Sequence, residues 1–391
     1  MFTPEEKKTL AGITFAVVAR MLGLFLLLPV LAPYVKNLEG STPVLTGLAV
    51  GIYGLTQAIL QIPFGYLSDR FGRKPVITAG FLAYVGGSLL GATASNIWWM
   101  IGARLIQGSG AISSAAVSLA ADLIREEVRT RAFAHIGASV GLVFAFSITV
   151  APVIAGKFGV PFIFYLTAFL SFVAMLYIVL FIKEPKNHHK EIEPSLKNIG
   201  MVVKDRGIVL LNFSVGILHA FLVSIFTVIP IELIDKYNIP KPEHWKIYLP
   251  IILLSVALMV PSTILAEKKG KIREVFLLGI VLISLGFVSH MVFQGLWGVI
   301  ALLLLYFVGF HFLEPIMPSL LTKLSHKDTR GISVGVYNTT QFVGAFVGGA
   351  LGGLFLKLGV AYMLASNFIL SLLWLLSAYV FLPGAVRKGE V

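Results

Sequence analysis

GYLSDRFGRK, Gly65 to Lys74, sets one acid and three bases between two strongly apolar runs. The chain around it has 391 residues, 57% hydrophobic and only 13% charged. A soluble domain carries about a quarter charged residues, so a surface this apolar belongs in a bilayer. The charged decapeptide then reads as a short connector between two membrane spans.

Working outward, a spanning helix needs roughly 20 apolar residues to cross about 30 Å of hydrocarbon. Twelve runs qualify, over 10–34, 43–67, 75–95, 97–121, 131–156, 160–182, 207–233, 246–266, 273–294, 297–322, 331–356 and 359–382. The first follows Lys7 and Lys8 like a signal peptide, but it is too long, contains Arg20 and lacks a small-residue cleavage site. With the N-terminus inside, 23 Lys and Arg fall on the cytoplasmic side, six on the other, and Arg20 and Arg104 within spans. That asymmetry is the positive-inside pattern and places both termini in the cytoplasm.

The longest polar connector starts at Lys183 and splits the runs six and six. Shifted by 198 positions, Leu67, Asp69, Arg70, Gly72 and Arg73 meet Leu265, Glu267, Lys268, Gly270 and Lys271, in the matching connector of the second set. The expected fold is an all-α membrane protein of 12 transmembrane helices in two pseudo-symmetric six-helix halves. Its parts are a half over 1–183, a linker over 184–206 and a half over 207–391.

Composition excludes several functions. The net charge of +12 is spread over connectors rather than one face, so a nucleic-acid partner is not expected. Cysteine is absent, which removes disulfides, thiolate catalysis and Cys-ligated metals. The eight histidines are scattered, with His188 and His189 in a polar loop, and no metal or cofactor is expected. No phosphate-cradling loop of the P-loop type occurs, which argues against ATP drive within this chain.

A plain topology anchor needs only the bases of the opening stretch. The acid and the two glycines ask for more. Gly65 permits close helix approach and Gly72 a tight turn. Asp69, at a helix end, is suited to another helix's N-terminal amides, where the dipole favours an anion. The stretch resembles motif A of the major facilitator superfamily. ARLIQGSGA, Ala103 to Ala111, resembles the family's motif B, and GLVFAFSITVAPVIAG, Gly141 to Gly156, resembles its antiporter motif C, with Ala151 and Ala155 where glycines are usual. The resemblance covers all twelve spans. Stretches such as GIYGLTQAILQIPFG and GVYNTTQFVGAF resemble a bacterial efflux branch, a member of which carries a soluble domain after the last span; here only a short tail is expected.

The resemblance implies that Asp69 latches onto the start of span eleven near Gly331, with Arg70 alongside, and that Arg73 pairs with Asp122. Together these would hold the inner gate shut in the outward-facing state. For Asp122, beside Arg125, a solvated surface acid is the alternative.

Ionisable groups inside a membrane cost at least ~2.5–3.5 kcal/mol at a span centre and are usually functional. Four sets qualify: Arg20, Arg104, His219, and Glu314 with His311, in spans one, four, seven and ten. One falls in each three-helix unit, and in the family those helices line the central cavity. Glu314 is the one acid placed deep in a span, with His311 one turn earlier and Pro315 and Pro318 following. Burial favours a neutral carboxyl and a nearby cation the charged one, so such a group can take up and release a proton. The alternative is a permanent salt bridge from Glu314 to Arg20 or Arg104. The motif resemblance implies that Arg104 assists proton transfer or steers an acid's pKa, whereas Arg20 stands where many family antiporters carry an acid. His219 fits a backbone hydrogen bond at least as well as a ligand role. Gln57, Gln61, Asn338 and Gln341 are candidate substrate contacts, although such side chains also join helices.

The expected function is secondary active transport by alternating access: proton-coupled efflux of small amphipathic or drug-like molecules from the bacterial cytoplasm across the inner membrane. Its partners would be that small molecule, protons and lipid, and the carrier a monomer. Proton symport for nutrient uptake is the alternative. A membrane sensor would bind without flux. An intramembrane metallohydrolase at His311 and Glu314 lacks the three protein ligands that catalytic zinc takes, so no enzyme is expected.

Overall fold

The computed structural model describes residues 1–185, 200, 202, 204–293, 295–326 and 329–382. The expected linker over 184–206 falls largely, and the tail beyond 382 wholly, outside the described residues. The first set of helices is α1 Pro4–Leu27, α2 Leu31–Val35, α3 Pro43–Phe71, α4 Arg73–Ala92, α5 Ile97–Gly108, α6 Ser113–Leu123, α7 Glu126–Phe158 and α8 Val160–Phe181. The second is α9 Arg206–Asp235, α10 Trp245–Glu267, α11 Ile272–Val292, α12 Leu296–Leu324, α13 Arg330–Leu358 and α14 Val360–Phe381.

Among the described residues, eleven helices are long and apolar enough to cross a membrane. The difference from twelve lies in the fourth expected span, which divides into α5 and α6. Across the gap the chain turns tightly, with Gly110 N donating to Gln107 O and Ala111 N to Ser109 O. Gly108 and Gly110 flank that turn. The broken carbonyl ladder needs outside donors, and the side chain that supplies one is described below. α1 starts six residues before the expected span because a capping box forms there: Thr3 Oγ1 accepts from Glu6 N, and Glu6 Oε2 from Thr3 N.

α13 holds the two sets together. On one face Gly349 and Gly353 meet Gly51 and Gly47 of α3, and a Cβ at Gly349 would lie 2.5 Å from Gly51 Cα. On another face Gly344 and Gly348 lie against the backbone of Gly216 and Ala220 in α9. Bare backbones therefore pack directly, as helices do in lipid where apolar side chains gain little over acyl chains. The contacts with α9 lie near mid-height, and those with α3 in the half of the molecule remote from the N-terminus. At the same end Lys36, just past α2, pairs with Asp235 at the end of α9, and Gly156 of α7 touches Pro242.

At the terminal end the same two helices are bare. Tyr66, Leu67, Phe71 and Val334 are exposed, Gly331 is exposed, and a Cβ at Gly335 would meet nothing within 4 Å. The sets touch at one end and part at the other. Midway, Phe144 of α7 stacks on Phe310 of α12 at 5.5 Å between ring centres, with Phe25 edge-on at 5.0 Å.

Candidate functional site

The loop of the opening sequence is short because Gly72 takes φ +99° and ends α3 just as α4 begins, a conformation that only glycine adopts freely. Gly270, its counterpart 198 residues on, has φ +71°. Gly65 turns out not to be needed for a close approach, since a Cβ there would sit 3.6 Å from Ser114 Oγ, an ordinary contact. Arg73 folds back under the loop. Its Nε donates to Asp122 Oδ2 at 2.9 Å, and both side chains are only 1% exposed. Its Nη1 reaches Ser68 Oγ at 2.8 Å and the carboxylate of Asp69. Asp69 is thus held within its own set, and Gly331 stands exposed; the latch expected between them is not made in this conformation. Arg70 is exposed, its guanidinium lying over Phe71.

The groups inside the spans sort into two sites. In the first set Arg20 is 1% exposed and fully engaged: Nε donates to Gly110 O at 3.1 Å, Nη1 to Ser113 Oγ at 2.5 Å and Nη2 to Tyr53 Oη at 3.1 Å. It supplies the donor that the break between α5 and α6 requires. Arg104 donates to Gln107 Oε1 at 2.5 Å and lies 4.7 Å over the Tyr53 ring, while its Nε has no hydrogen-bond partner. Gln107 in turn donates to Ser88 Oγ. Gln57 donates to Gln61 Oε1 at 3.0 Å, which makes the pair an internal tie within α3. Tyr53, Tyr84, Ser88 and Gln107 were not singled out from sequence. Tyrosine and serine in apolar helices look like packing residues until their contacts are seen: Tyr53 against both guanidiniums, Tyr84 Oη donating to Arg20 O at 3.1 Å, and Ser88 one step from Arg104 through Gln107.

In the second set Glu314 of α12 has neither arginine as a partner. Its Oε2 is buried without a hydrogen bond. Within its electrostatic reach are His219 of α9, Tyr306 of α12 and Tyr337 of α13. His219 Nδ1 bonds Val215 O at 3.0 Å, as its lone position on an apolar helix suggested, and its Nε2 meets the Gln341 amide at 2.7 Å. Tyr337 Oη is buried and unpartnered, and Tyr306 Oη donates to Leu218 O at 2.8 Å. His311 does not join this group: its Nδ1 bonds Phe307 O at 2.9 Å and its ring sits among Phe144, Phe307 and Phe310. Asn338 is partly exposed on the same helix as Gln341.

Glu314 is not the only acid inside a span. Glu232, one turn before the end of α9, is 6% exposed and accepts from Lys236 Nζ at 2.9 Å and pairs with His290 Nε2 at 3.1 Å. Its place beside the run boundary hid it.

Known proteins share this sequence pattern and fold. A model of the Major Facilitator Superfamily matches residues 13–348 and 251–390. The inner membrane transport protein YajR of Escherichia coli (strain K12) is 38% identical over 354 residues, covering 90% of this chain and 78% of that one. The tetracycline resistance protein, class B, of Escherichia coli is 32% identical over 175 residues, 42% of each chain. Among solved structures, an inward-facing, occupied bacterial homolog of the human lysosomal transporter Spinster superposes with a TM-score of 0.77 at 13% identity, covering 97% of both chains. The chain belongs to the major facilitator superfamily of membrane transporters.

Proposed function

We propose that the protein is a proton-coupled efflux carrier for small amphipathic molecules, sitting in a bacterial inner membrane with both termini in the cytoplasm. Residues 1–183 and 207–391 are its two moving units. The conformation described above is then the inward-open one, because the units part at the end that bears the N-terminus. Similarity to a tetracycline resistance protein supports the substrate class; Phe144, Phe307 and Phe310 are buried against one another in this conformation and give such a molecule an apolar surface only when that contact opens.

One observation carries the coupling: Glu314 has a buried, unpartnered carboxylate oxygen, while Arg20 and Arg104 are engaged within the first set. A charge on that unpartnered buried oxygen is disfavoured, so we take the carboxyl to carry the proton in this state. Ionisation is favoured when water or a cation reaches that oxygen, which reorientation supplies. Proton occupancy thereby differs between the two states, and a ligand shifts an equilibrium only by such a difference. Asp69 and Arg73, with Asp122, form the gate at the cytoplasmic end. When that end closes, Asp69 moves from Arg73 to the first amides of α13. His219 and Gln341 border the substrate space beside Glu314.

The test is flux in proteoliposomes across a panel of amphipathic compounds. An imposed pH gradient should drive at least one of them, and its transport should collapse with a protonophore. Substrate movement indifferent to the proton gradient would refute the coupling.

A further inference from the structure

Glu184, three residues beyond the end of α8, lies 110 residues from the gate loop in sequence and directly against it in space. Its Oε1 accepts from Arg73 N at 2.6 Å and its Oε2 from Lys74 N at 2.9 Å. Lys74 Nζ returns the contact to Val179 O at 2.9 Å. A Cβ at Gly72 would stand 3.0 Å from Glu184 Oε1, so glycine there admits the carboxylate as well as the turn. α4 needs this outside acid: its N-cap Gly72 has no side chain to offer and its first turn holds no acid. α13 begins in the same way, with no side-chain cap bond from Thr329 and no acid in its first turn.

Asp69 sits on the last turn of α3, beside the start of α4 and on Arg73 of that helix. Each start presents unsatisfied amides and a positive dipole end, which attract a carboxylate. We infer that Glu184 is a positioning residue of the gate: by occupying the first amides of α4 it keeps Asp69 from settling there and leaves it for α13. The same two bonds fix the backbone of Arg73, whose guanidinium holds Asp122. This rests on the reading of Asp69 as the gate latch. Without Glu184 the amides of α4 lie open to Asp69 within its own unit, a contact that needs no closure. The closed end then loses population.

The absence of native cysteine allows spin labels at Ala134→Cys in α7 and Lys269→Cys after α10, both exposed and away from the loop. Electron–electron distance measurements in nanodiscs would report the fraction closed at that end. Glu184→Ala should lower this fraction by about threefold or more, the scale of a lost helix cap, and Glu184→Gln should fall between. The double variant with Asp69→Asn should be no worse than Asp69→Asn alone, because Glu184 acts through Asp69. If Asp69→Asn shifts the distribution and neither Glu184 variant does, the inference fails and the latch stands. If none shifts it, both fail. Additive effects in the double variant would also overturn the inference, since they would mean that Glu184 acts apart from Asp69. Should the alanine variant not insert, the glutamine variant alone decides between these outcomes.

Discussion

Arg73 and Asp122 form an ion pair whose side chains are each 1% exposed. Removing one member of such a pair strands the other and typically costs about 3–5 kcal/mol, whereas replacing both by apolar groups is often neutral. Asp122→Ala should therefore lower the unfolding temperature in detergent clearly, and Arg73→Met with Asp122→Leu should restore it without restoring flux. Recovery of flux in the double variant would show the pair to be structural only. This pair was legible because motif A names its partners, and Asp69, Arg73 and Asp122 do converge. Arg20 was legible only as an anomaly. A charge inside a span reads as functional, but its role here is to satisfy Gly110 O at a helix break, and no local pattern predicts which carbonyl will lack a partner. Tyr337 near Glu314 and Glu184 at Arg73 were hidden for the same reason. Their meaning lies in contacts between distant segments.

α13 is gripped on two faces by backbone, by α9 near its middle at Gly344 and Gly348 and by α3 further along at Gly349 and Gly353. Glycine-on-glycine packing between the two sets thus lies toward one conformation's closed end. Gly349→Val would drive methyl groups into Gly51 and should shift the population away from the terminal-open state, seen as a shorter distance between labels at Ala134 and Lys269. An unchanged distribution in folded protein would show that the seam does not set the equilibrium. Element positions followed well from hydropathy, since spans are long and their apolar runs continuous. The division of the fourth into α5 and α6 did not, because hydropathy is blind to hydrogen-bond register. Gly108 and Gly110 carried a hint, absorbed by the resemblance to motif B. The repeat also runs further than the opening loop suggested. Lys157, Gly159 and Val160 recur as Lys357, Gly359 and Val360, with positive φ at both glycines.

The whole molecule is asymmetric in charge and in contact. Lys36 and Lys157 and the segment holding Lys236, Lys241 and Lys246 sit at the joined end, away from the many bases around the motif A loop. A chain oriented by its bases has that joined end outside. Cysteine at Glu243 should then react with an impermeant reagent on intact cells, and cysteine at Lys269 should not; the reverse pattern would invert the assignment of inward and outward. Coupling turns on proton movement at Glu314. The decisive variant is Glu314→Gln, a permanent mimic of the neutral acid, in proteoliposomes assayed for both exchange and pH-driven accumulation of one substrate. Exchange down a substrate gradient should survive in this variant while accumulation driven by the pH gradient is lost. Accumulation that persists in the glutamine variant would contradict coupling at Glu314.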